Sequence, residues 1–206
     1  ANDAFFQGHI AVDDGKIVGL SLDLPETDAE TVIDAKGRHV LPGMVDSHVH
    51  FRDPGNPERE DFFTGSRAAV AGGVTTICEM PITRPPVNSI EVLEHRKSLA
   101  AERCITDFAF YGAAGFENRD KLQALTDSGV CAFKTFLHPA PKGREPEFIG
   151  LTVNDDGQLF MMMREAAKTG ARFIFHCENY KLIEKMEEYL HDTGCRDYSF
   201  HYKSRP

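Results

Sequence analysis

From about residue 40 onward the chain repeats one grammar: a short apolar run, then an amphipathic stretch, then another apolar run. HVLPGMVDSHV, VTTICEM, TDFAFYGAA, VCAFKTFL and ARFIFHCE are apolar segments of strand length, each followed by a helical pattern. EDFFTGSRAAVAGG stops at Gly72-Gly73, and SIEVLEHRKSLAAERC opens on Ser89 as an N-cap. ENRDKLQALTDSG, DDGQLFMMMREAAKTG and NYKLIEKMEEYLHDTG supply the remaining helices. Strands that are apolar along their whole length are buried on both faces, and helices between them imply parallel neighbours. The expected class is therefore α/β. A doubly wound sheet and a (β/α)₈ TIM-type barrel both satisfy the rhythm. The polar residues favour the barrel, because His48, His50, Glu79, Lys134 and His176 stand at or near the C-terminal ends of strands, where barrel enzymes keep their chemistry. No GxGxxG or Walker-type loop follows any strand, which leaves a nucleotide-binding sheet without support.

Residues 5–35 have a different texture. Short β-like runs flank Asp13-Asp14-Gly15, a hairpin signal, so residues 1–40 read as a small all-β portion and 41–206 as the barrel portion. The 206 residues carry a net charge of −9, which argues against a nucleic-acid groove or an anionic membrane as partner. No apolar run approaches the roughly 18–20 residues that span a bilayer. ANDAFFQGHI lacks the basic start and apolar centre of a signal peptide, and its start in mid-pattern suggests residues upstream. The five cysteines are odd in number and form no CxxC pair, so they are expected to be reduced small hydrophobes in a cytoplasmic protein.

Chemistry concentrates at four positions. Side chains two apart on a strand face the same side, so His48 and His50 point together and could share one metal ion. The alternative is a pair of hydrogen-bonded core histidines. Lys134 lies within CAFKTF, a strand expected to be buried, where an ammonium is costly unless paired or neutralised. It either pairs with Glu79 across the barrel or has reacted with carbon dioxide to form a carbamate able to bridge two metals. His176, closing ARFIFH, is a third imidazole at the same rim. Tyr111 reads as core. The Pro- and Gly-rich segment from His138 to Asn154 reads as a flap beside the site, against the plainer alternative of a surface connection.

DSHVHFRDPG, FFTGSRAAVAGGVTTICEMP, FKTF, FHCEN and the terminal SRP, in that order, resemble the cyclic amidohydrolases of the amidohydrolase superfamily: dihydroorotase, allantoinase and hydantoinase. The resemblance runs from GHIAVDDGKIVGL to Pro206. It implies a small β-sandwich beside a barrel with two zinc ions at its mouth. His48 and His50 would bind the more buried ion, Lys134 would be the N6-carboxylated bridge, and His176 would bind the second ion. A hydroxide shared by the two metals would open a cyclic amide, with an Asp from a later strand handling the proton. That Asp and a further metal-binding His are expected beyond Pro206. Residues 1–206 are thus expected to be the first five βα units of a longer enzyme and inactive alone, with no catalytic residue of their own. His191, inside a helix pattern, and His201, in a polar segment, are poor substitutes.

Arg52 resembles the arginine with which dihydroorotases hold the substrate carboxylate, a task suited to a guanidinium fork. The plainer alternative pairs it with Asp53 or Glu58. One position departs from that pattern: an Asn is typical after MP, and this chain has Ile82, whose side chain donates no hydrogen bond, with Arg84 as a neighbouring cation. The favoured expectation is a dihydroorotase-like enzyme of pyrimidine biosynthesis acting on a small cyclic amide. The alternatives are allantoinase or hydantoinase (dihydropyrimidinase) activity, a non-catalytic scaffold relative, and a mononuclear deaminase-type enzyme, which Lys134 opposes. Relatives imply a homo-oligomer.

Overall fold

A computed structural model describes residues 5–23 and 29–206. By internal packing the chain divides into two units, Ala1–Pro42 and Gly43–Pro206. In the first, β1 (His9–Asp13) and β2 (Lys16–Ser21) form an antiparallel hairpin. Asp14 and Gly15 turn it with φ of 46° and 70°, the double positive φ of a type I′ turn. The expected hairpin signal is thus in place.

The second unit holds five parallel strands in unbroken sequential order. They are β3 (Met44–Val49), β4 (Val74–Glu79), β5 (Asp107–Ala113), β6 (Ala132–Phe136) and β7 (Phe173–His176). Helices α1 (Phe62–Ala71), α2 (Ile90–Arg103), α3 (Leu122–Asp127) and α4 (Asp156–Thr169) link them. After β7 come α5 (Tyr180–Asp192) and α6 (Ser199–Lys203). Sequential order with one crossover helix per step is the winding of a (β/α)₈ barrel; a doubly wound sheet would reverse its order partway.

The helix starts follow local chemistry. Asp61 caps α1 in a reciprocal capping box with Thr64, while Ser89 and Asp155 cap α2 and α4 through the amides of Val92 and Gln158. The stretch read as one helix over 117–129 is shorter: one 3₁₀ turn at Arg119–Lys121 leads into the six residues of α3.

Period-two alternation divides the strands between two cores. Phe62, Ile77, Leu93, Phe110 and Phe133 pack between sheet and helices. On the other face, Met80, Tyr111 and Ala132 pack with Cys78 and Ile174 to form a floor inside the curl. Tyr111 is core as expected, and its hydroxyl also donates to the Ser47 carbonyl at 3.0 Å. All five cysteines are free, and Cys78 and Cys104 pack against apolar clusters as expected, whereas Cys131 and Cys177 are exposed. No described helix is long and apolar enough to cross a membrane.

Candidate active site

The inward-facing residues at the C-terminal ends of β3, β6 and β7 converge on one cavity of about 420 Å³. His48, His50, Arg52, Lys134 and His176 all line it, so every site residue expected from sequence reaches the same place. The imidazoles of His48 and His50 meet edge to face with centroids 5.3 Å apart. Burial lowers the pKa of both. For His50 the Arg52 charge adds to the effect, and the value falls to about 4. His50 is therefore a neutral imidazole near pH 7, and its Nδ1 is buried with no hydrogen-bond partner among the described residues. A buried ring nitrogen left without a partner is costly in isolation and suited to a ligand.

Lys134 is 5% exposed, and desolvation lowers its pKa. The pairing with Glu79 considered above does not occur. Glu79 projects from the opposite face of its strand, where its Oε1 lies 2.8 Å from Nη2 of Arg96 on α2. Burial opposes the charge on both groups. The contact between them, the Phe51 amide donating to the carboxylate, and the Phe62 and Phe110 rings facing the guanidinium offset that cost. Lys134 is left with the Phe136 ring 5.1 Å from its Nζ and no carboxylate partner among the described residues. A half-desolvated amine of this kind is prone to deprotonation and addition to an electrophile.

His176 Nε2 lies 2.8 Å from Glu178 Oε2, and the His176 ring is 5.4 Å from that of His138. His138, His176 and Glu178 offer ligand atoms all within 4.8 Å of one another, a group that could hold a metal ion. His138 and Glu178 were not expected as site residues. The signal was present: each lies two positions beyond an inward-facing residue, Phe136 and His176, so strand periodicity carries them to the same rim. His191 packs against Phe200 in the α5–α6 region and does not line the cavity.

Arg52 adopts φ of 60°, a left-handed conformation that costs a non-glycine residue about 1 kcal/mol. Its Nη1 donates to the Ile82 carbonyl at 3.1 Å and lies 3.7 Å from Oε2 of Glu147. It thus pairs with neither Asp53 nor Glu58. The Ile82 side chain packs with Ala113, Phe136, Phe148 and Leu151.

The segment from His138 to Asn154 is docked. Phe148, Leu151 and Val153 are buried, Thr152 forms a β-bridge with Phe136, and the Phe136 amide donates to the Leu151 carbonyl. Gly115 makes this possible. A Cβ there would sit 2.6–2.8 Å from the backbone of Gly150 and Thr152. The segment is a wall of the cavity, contributing His138, Pro141, Arg144 and Phe148.

A parallel βα sheet wound in sequential order, with imidazoles and a desolvated lysine gathered at its C-terminal rim, is the arrangement in which barrel folds place their chemistry. Residues 39–204 match the model of the amidohydrolase family, and the chain belongs to that family. Among curated relatives it is 32% identical over 207 residues to an L-hydantoinase of Paenarthrobacter aurescens, with 100% of this chain and 44% of the relative covered. It is 36% identical over 208 residues to an allantoinase of Desulfitobacterium hafniense, covering 99% of this chain and 44% of the relative. A dihydroorotase of Methanosarcina acetivorans is 34% identical over 205 residues, covering 100% and 42%. The solved L-hydantoinase (dihydropyrimidinase) from Arthrobacter aurescens superposes with a TM-score of 0.85 at 33% identity, over 96% of this chain and 43% of that one. The chain spans less than half the length of these relatives.

Proposed function

We propose that the full-length protein is a zinc-dependent hydrolase that opens a cyclic amide, dihydroorotase-like in substrate, and that residues 43–206 supply the first five βα units of its barrel. The hairpin unit is the N-terminal part of a small β-sandwich. The observation that carries this reading is the gathering of His48, His50, Lys134 and His176 on one cavity, with a buried His50 nitrogen and a desolvated lysine both lacking partners among the described residues.

These residues fit a pair of divalent cations. His48 and His50 would hold one, His176 the other, and Lys134, as a carbamate, would serve both. Bound there, the cations would supply an acidified water and polarisation of the amide carbonyl. The chain's own groups prepare that chemistry. Burial and the nearby guanidinium keep His50 unprotonated, so little proton competition stands against ligation. The apolar wall of Ile82, Phe136 and Phe148 limits water around the ring and strengthens every charge interaction at the rim. Arg52 orients a substrate carboxylate through the donors not committed to Ile82.

The test is metal analysis together with turnover of the full-length protein on dihydroorotate, allantoin and hydantoins. Two zinc ions per chain, lost when bicarbonate is withheld during reconstitution, and preferential hydrolysis of dihydroorotate are expected. Hydrolysis of allantoin or an uncharged hydantoin in preference would move the protein to the alternative branch. Absence of both metal and turnover would leave a scaffold.

A further inference from the structure

We infer that Arg144 is a second carboxylate-binding residue of the cavity, acting with Arg52 to select ring substrates that carry an ionised carboxylate. This rests on the cyclic-amide reading and names the feature that would separate substrates within it.

Glu147 is 3% exposed and meets three guanidiniums. Nη2 of Arg84 lies 3.0 Å from its Oε1, Nε of Arg144 lies 3.0 Å from its Oε2 with Nη2 also in contact, and Arg52 stands 3.7 Å from Oε2. One carboxylate cannot neutralise three permanent cations. Arg84 is not among the cavity-lining residues, whereas Arg52 and Arg144 are. Positive charge therefore remains inside a partly enclosed space, where it attracts an anion more strongly than at an open surface. Glu178, the acid that does line the cavity, is engaged by His176 at 2.8 Å and by Nε of Arg205 at 2.9 Å.

Geometry gives the same answer. Glu147 takes one edge of the Arg144 guanidinium and leaves Nη1 without a partner among the described residues. Arg52 commits only Nη1, to the Ile82 carbonyl. Both guanidiniums that line the cavity thus keep donors uncommitted among the described residues. The Arg144 guanidinium also rests over the Phe148 ring, its carbon 5.3 Å from the centroid. Its backbone amide donates to the Pro141 carbonyl at 2.9 Å, so the arm springs from a fixed point.

The experiment compares wild type, Arg144→Gln and Arg144→Lys in the full-length enzyme on two rings that differ in one group: dihydroorotate, with a carboxylate, and dihydrouracil, without it. Loss of one charge-assisted contact should raise KM for dihydroorotate about tenfold or more in Arg144→Gln. The effect on dihydrouracil should be several-fold smaller, and Arg144→Lys should recover part of the loss on dihydroorotate. An equal effect on both rings would make Arg144 a purely structural residue, and no effect on either would also overturn the proposal. If wild type hydrolyses neither of these rings, nor allantoin, nor a hydantoin, the cyclic-amide reading fails. Calorimetric binding of dihydroorotate to the same variants then decides the subsite alone: weaker binding by Arg144→Gln sustains it, while equal binding, or none by wild type, ends it.

Discussion

Nη2 of Arg96 and Oε1 of Glu79 lie 2.8 Å apart with both side chains fully buried, Glu79 one residue before Met80 of the apolar cluster inside the curl. Arg96 also donates to the carbonyls of Asp53 and Met80, so this helix residue ties together the ends of the loop that bears Arg52 and the strand beneath it. Replacing Arg96 with Met strands a buried carboxylate and should cost about 3–5 kcal/mol in urea unfolding of the full-length protein. Pairing it with Glu79→Leu should recover much of the loss, because two apolar side chains leave no orphaned charge.

His50 sets stability against function. Its buried Nδ1 lacks a partner among the described residues, so His50→Leu should stabilise the metal-free protein by about 1–2 kcal/mol. The same change should abolish retention of at least one metal ion. Melting in chelator and metal analysis after reconstitution check the two signs.

Glu147 holds the wall through its arginines. With Glu147→Gln, three guanidiniums lose their shared counter-charge. Amide hydrogen exchange from Arg144 to Phe148 should then accelerate about tenfold or more, while exchange in β5 and β6 stays unchanged.

Asp61 gives a pH signature remote from the site. The Thr64 amide holds its carboxyl below the usual value, so as pH falls the folded state takes up this proton later than the unfolded one. Its contribution is fully present above the ordinary carboxylate range and is lost as pH falls through the folded value. Asp61→Ala should cost about 1 kcal/mol at pH 7. Asp61→Asn should keep most of the cap and show a shallower loss of stability on acidification than wild type.

The strand order and the convergence of His48, His50, Lys134 and His176 were legible because both follow from periodicity: apolar runs reveal strands, and steps of two reveal shared faces. The Glu79–Arg96 pair was not. Arg96 sits in a helix rich in charged residues, and only tertiary packing distinguishes it from its solvated neighbours. Arg144 and Glu147 belong to a segment with no regular period, and their meeting with Arg52 and Arg84 spans more than sixty positions for Arg84 alone. Such contacts are fixed by docking rather than by local pattern. Ile82 illustrates the same limit: its side chain announces the loss of a donor, while the carbonyl that anchors Arg52 is invisible in the letter code.

Because Thr152 and Leu151 are stitched to the end of β6, the wall that carries Arg144 is an extra selvedge woven onto the sheet. A frame of this kind discriminates by what already fits it. Choice among rings would then reside in the few side chains it displays, and exchanging those could retune the pocket while the fabric behind them keeps its shape.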